Sequence, residues 1–114
     1  NWIGAGTAPA YFQAFFDVLK PGGTLGVVDH RAKGETATDG STGYVTEQQI
    51  IDLATAAGFR FAGRSDVNAN PADTADHPKG VWTLPPSYAL GDEDREKYAA
   101  IGESDRMTLR FVKP

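Results

Sequence analysis

Asp29, His30 and Arg31 stand together after a short apolar run, Leu25-Gly26-Val27-Val28. An acid, a base and a planar cation at one strand end could hold a small molecule and take a proton from it. His30 is the candidate general base, because an ordinary imidazole titrates near ~6.5. Arg31 carries a fork that fits an anionic group. Asp29 would complete a binding set with them. The alternative for His30 is a strand-end histidine hydrogen-bonded to backbone. Trp2 could stack on a bound ring, or it could anchor the first helix.

Other constellations are weaker. Gly4 and Gly6 precede a helix, and Asp29 follows roughly twenty residues on, which imitates a dinucleotide fingerprint. Pro9 occupies the third glycine's place, and only Asn1, Trp2 and Ile3 remain for a preceding strand. A dinucleotide-dependent enzyme is therefore a minor reading, and a flexible lead into the helix the larger one. Asp73 and His77 are four apart, but Pro71 and Pro78 flank them and argue against a shared helix face. No metal site is expected there without further histidines.

Composition narrows the class. The 114 residues suit one domain, and 40% apolar content is enough for a core. A net charge of −4 argues against a nucleic-acid or anionic-membrane partner, since both need a basic footprint. The absence of cysteine removes disulfides and thiolate metal sites. No apolar run approaches ~20 residues and no leader is visible, so a cytoplasmic protein is expected.

The elements that must position these residues follow from periodicity. A helix begins near Thr7, with Phe12, Phe15, Phe16 and Leu19 on one stripe, and Pro21-Gly22-Gly23 ends it. Residues 24–29 form a strand whose unalternating apolar run implies two covered faces. Thr46 and Gln49 have capping-box spacing, and Ile50, Leu53, Ala54 and Ala57 make the next buried stripe before Gly58. Residues 59–66 form a second strand. Residues 67–104 are a long insertion, with a short helix over 92–101. Met107, Leu109 and Phe111 alternate in a last, half-buried strand.

The stretches "FFDVLKPGGTLGVVDHRA", "VTEQQIIDLATAAGFRFAGRSDV" and "SDRMTLRFVKP" resemble class I S-adenosylmethionine-dependent methyltransferases from the end of the fourth strand onward. "VDHRA", "NPADTADHPKGVWTLPP" and "IGESDRMTLRFVKP" resemble, more narrowly, a bacterial group of predicted methyltransferases of poorly defined substrate. The resemblance implies an α/β fold, the C-terminal half of a Rossmann-like sheet. Two strands would be parallel, with the last antiparallel between them.

It also implies that Asn1 and Trp2 are the tail of the fourth strand. With Asp29 and Arg31 they would bind substrate, and His30 would be catalytic. Asn68, Asn70 and Trp82 would fall where such enzymes often build the acceptor pocket. The cofactor glycines and the ribose-binding acid would lie in the half that precedes Asn1. S-adenosylmethionine is thus expected in a full-length parent acting on a small-molecule acceptor, with no cofactor-binding residue and no activity in this chain alone. The rival is a non-catalytic module. In either case the strand 24–29 would have an open edge and the first helix would expose some of Phe12, Phe15 and Phe16, so a homodimer through that strand or that helix is expected.

Overall fold

The computed structural model describes residues 6–34 and 36–114. Asn1, Trp2 and Gly4 lie outside the described residues. The elements run α1 (Ala8–Val18), β1 (Thr24–His30), α2 (Glu47–Ala57), β2 (Arg60–Ser65), a 3-10 turn (Gly80–Thr83), α3 (Arg95–Ile101) and β3 (Arg106–Val112). Among the described residues no helix is long and apolar enough to cross a membrane.

Local chemistry explains the helix boundaries. The N–H of Gln49 donates to Thr46 Oγ1 at 3.0 Å, and the N–H of Thr46 donates to Gln49 Oε1 at 2.8 Å. This reciprocal box satisfies two amides that α2 itself leaves open. Gly58, in the left-handed region, closes α2. At the other helix, Lys113 Nζ donates to the carbonyls of Phe16 (2.7 Å) and Leu19 (2.9 Å). A cation there satisfies carbonyls at the end of α1 and complements its dipole. Gly22, at φ +83°, lets the following turn hydrogen-bond to Lys113, with its N–H 2.7 Å from that carbonyl. The "KPGG" turn thus ties the end of α1 to the end of β3.

The sheet has the order β1-β3-β2. Thr24 pairs with Val112 and His30 with Arg106 on one side of β3, while Arg60 pairs with Val112 on the other. The last strand therefore does lie between the other two. The expectation of a Rossmann-like sheet with parallel strands is corrected: both ladders are antiparallel. The only parallel pairing among the described residues is the isolated bridge Arg31–Val45. The physical reason is the position of β3. It separates β1 from β2, so two strands that run the same way never share an edge.

One face of the sheet carries the core. Val27, Met107, Leu109 and Phe111 bury against Phe12, Ile50, Ala54 and Phe59. Phe16 and Phe59 meet edge-on with centroids 5.2 Å apart. Phe12 is fully buried, while Phe15 and Phe16 are half-buried, so the exposure expected of some of these rings falls on the latter two. The unalternating run of β1 also misled. Its burial alternates, with Val27 covered and Val28 at 51% exposure on the opposite face. Among the described residues only one face of β1 is packed by helices.

The insertion is docked rather than loose. The N–H of Val81 donates to the Thr42 carbonyl at 2.8 Å, which holds the 3-10 turn against the loop after β1. Gly80, beside it, has φ +60°, and a Cβ there would fall against the Thr42 backbone. Both the left-handed strain and the clash oppose any side chain at this point. Gly80→Ala is expected to destabilise the protein by about 1–3 kcal/mol. Urea unfolding checks this, and an unchanged midpoint would show that the insertion does not depend on the contact.

Candidate functional site

The cross-strand pair His30–Arg106 sits on the face of the sheet opposite the helices. The core-facing residues of β1 and β3 are Val27, Leu109 and Met107. Their in-register neighbours alternate to the other side, which carries Val28, Thr108, His30 and Arg106. Here the insertion folds over the strand ends and leaves a cleft of about 210 Å³. His30, Arg106, Ser104, Glu103, Trp82 and the Pro85-Pro86 pair line it.

Within the cleft His30 Nδ1 lies 2.5 Å from Ser104 Oγ, and Ser104 is buried. That contact orients the ring. Its other nitrogen has no hydrogen-bond partner among the described residues. Burial pushes the His30 pKa below its ordinary value, and the nearby Arg106 charge acts in the same direction. The carboxylates of Asp29, Asp73 and Glu103 oppose that shift without reversing it. The imidazole is accordingly neutral near pH 7, the state a general base requires.

Strand alternation separates the neighbours that the sequence places side by side. Asp29 pairs with Met107 and points to the helix side, where it accepts a hydrogen bond from the His30 N–H at 2.8 Å. Burial raises its pKa. Arg31 is engaged on that side too. Its Nε lies 3.2 Å from Asp105, with Asp66 at 3.7 Å and Glu47 at 3.8 Å, and Nη2 donates to the Arg106 carbonyl at 3.2 Å. Neither Asp29 nor Arg31 lines the cleft.

Two residues missed by sequence reasoning, Ser104 and Arg106, are the partners of His30. They are seventy-odd positions away, and only strand pairing brings them in. Trp82 does reach the cleft. Asn68 and Asn70 serve the scaffold instead. Asn68 donates to Thr108 Oγ1 at 2.9 Å, and Asn70 donates to the carbonyls of Ile101 and Glu103, each at 2.7 Å.

Asp73 and His77 meet without a helix, with His77 Nε2 2.8 Å from Asp73 Oδ1. Asp73 is fully buried and also accepts from Tyr44 Oη (2.9 Å), the Ala75 N–H (2.9 Å) and the Asp105 N–H (3.0 Å). Desolvation alone would raise its pKa. The hydrogen bonds from His77, Ala75, Asp105 and Tyr44 outweigh that and hold it low. The Tyr44 hydroxyl is correspondingly pushed up by burial and by Asp73. No group of three or more metal-ligating side chains occurs among the described residues.

No family model and no curated protein matches the chain. A solved structure does: the crystal structure of the [4+2]-cyclase SpnF, with TM-score 0.58 and 24% identity. The likeness covers 93% of this chain and 45% of the SpnF chain. This is a methyltransferase-like fold. At this identity the likeness reaches the fold and stops there, and the chain spans under half the length of its structural neighbour.

The His30 environment makes a direct prediction. Its ring should titrate below the value of a free histidine in an NMR titration. Arg106→Gln removes a cation that opposes protonation, so the midpoint should rise. Glu103→Gln removes an anion that favours it, so the midpoint should fall. Shifts of the opposite sign would mean that these charges do not face the ring.

Proposed function

We propose that this chain is the C-terminal portion of an S-adenosylmethionine-dependent methyltransferase, and that the cleft at His30 receives its small-molecule acceptor. The supporting observation is the geometry of His30. One ring nitrogen is held by Ser104 at 2.5 Å, and the ring borders a cleft of about 210 Å³. With the proton on Nδ1, the ring donates to Ser104 Oγ and leaves the Nε2 lone pair to accept a proton from an acceptor O–H or N–H. The methyltransferase-like fold supports the reaction class.

The His30 cleft does not fit the cofactor itself. Arg106, which has no ion-pair partner among the described residues, repels a sulfonium. The cleft's volume, about 210 Å³, is below the ~300–1,000 Å³ of sites that enclose larger ligands. S-adenosylmethionine would be held by the remainder of a longer parent, and this chain alone would not catalyse transfer.

A second reading is a non-catalytic module that pairs with its own copy. It is favoured by the sheet order, which leaves β1 at an edge with no strand beside it among the described residues.

Two measurements test these readings. In the full-length protein, His30→Gln should lower transfer of labelled methyl to acceptor by about 10²–10⁴-fold with acceptor affinity unchanged. Undiminished transfer would remove His30 from the reaction. For the second reading, sedimentation velocity of this chain should give a dimer at micromolar concentration. A monomer under the same conditions would refute pairing through β1.

A further inference from the structure

We infer that the acceptor taken by the His30 cleft is a small monocarboxylic acid with a ring or other apolar body, and that Arg106 is the residue that binds its carboxylate. The inference rests on reading the cleft as the acceptor site and names the chemical class that this site selects.

Arg31 is surrounded by Asp105, Glu47 and Asp66. Arg64 pairs with Glu47 at 3.1 Å and Asp66 at 3.6 Å. Arg95 lies over the Tyr88 ring. Arg60 and Arg110 are exposed to solvent. Arg106 differs from all five. It is half-buried, its Nε is shielded from solvent with no hydrogen-bond partner, and no carboxylate pairs with it among the described residues. Arg31 Nε and Glu47 Oε2 share that lack of a hydrogen bond, but each lies within 4 Å of an opposite charge. A guanidinium that is partly desolvated and unpaired is costly unless something anionic completes it. Its planar fork suits a carboxylate in particular.

The rest of the lining describes the remainder of the ligand. Val81, Trp82, Pro85 and Pro86 form an apolar wall, and the Trp82 side is 43% exposed, open to stacking. A cavity of ~150 Å³ holds benzene, so about 210 Å³ admits one ring with a carboxylate. Glu103 also borders the cleft and disfavours a second negative charge on the ligand. A monoanion therefore fits better than a phosphate dianion. With the carboxylate on Arg106, a hydroxyl or amine carried on the same body lies toward His30, the cross-strand neighbour of Arg106. Arg106 thus takes the anion-holding part for which Arg31 was the sequence candidate.

Binding to the chain tests this without any cofactor. The probes are 2-hydroxybenzoate, its neutral analogue 2-hydroxybenzamide, and inorganic phosphate, followed by calorimetry and by the Trp82 indole N–H signal in NMR. The acid should bind at least tenfold more tightly than the amide or phosphate, with the Trp82 signal shifting. Arg106→Gln should weaken the acid by about ten- to hundred-fold and leave the amide unchanged. Arg106→Lys, which keeps charge without the fork, should fall between. Circular dichroism confirms that the variants are folded, and the acid-to-amide ratio on the unaltered chain stands even if they are not. Equal binding of acid and amide, preference for phosphate, an acid affinity unmoved by Arg106→Gln, or no binding at millimolar concentration would overturn the inference. A full-length protein that binds such an acid yet transfers no methyl would sink the methyltransferase reading and leave standing only the assignment of Arg106 as the carboxylate-binding residue of the cleft. One that methylates only neutral acceptors would do the reverse.

Discussion

Much of the arrangement around the cleft depends on one buried carboxylate. Asp73 has no solvent exposure, so its charge must be met from within the protein. Its donors come from three separate stretches of chain: Tyr44 from the loop after β1, Ala75 and His77 from the insertion, and Asp105 from the residue that leads into β3. A charged acceptor with several short hydrogen bonds is among the stronger polar anchors available to a small domain. Here it draws together segments that have no shared secondary structure. Loss of any one donor would weaken the register between the insertion and the end of the sheet.

The cleft inherits its geometry from that anchor. Asp105 is bound to Asp73 through its N–H and to Arg31 through its side chain, and Ser104 immediately precedes it. Holding Asp105 therefore sets Ser104 against His30. The same pairing divides the charges. Asp105, Glu47 and Asp66 gather around Arg31 on the helix side, while Arg106 on the opposite face pairs with no carboxylate among the described residues. Two arginines close in space thus have different surroundings, one among carboxylates and one beside the cleft.

The likeness to SpnF extends over nearly all of this chain but less than half of that one. Among the described residues both strand ladders are antiparallel. The central strand is β3, and β1 stands at an edge. An edge strand with one packed face carries open backbone groups that another strand can complete. Both proposed readings start from this edge: it could be completed by another part of a longer protein or by a second copy.

The local elements were legible in the sequence because they are local effects. The Thr46–Gln49 box, the stop at Pro21-Gly22-Gly23 and the alternation of Met107, Leu109 and Phe111 each depend on residues a few positions apart, and each is found where those residues stand. His30 could be singled out for the same reason, since its titration range is a property of the residue itself. What lies across the chain could not be read. Asp29, His30 and Arg31 are adjacent in sequence, yet the two-residue repeat of a strand sends His30 to one face and its neighbours to the other. Val28 looked buried beside Val27 until the layers decided which face was covered. Ser104 and Arg106 carried no signal of their own. A serine or an arginine becomes part of a site only when strand pairing and a buried carboxylate bring it to a histidine seventy residues away. Residues close in sequence were enough to define the elements and to mark His30 as a candidate base. Tertiary structure decided which charges are paired and which side chains line the cleft, because strand pairing and burial join residues far apart in the chain.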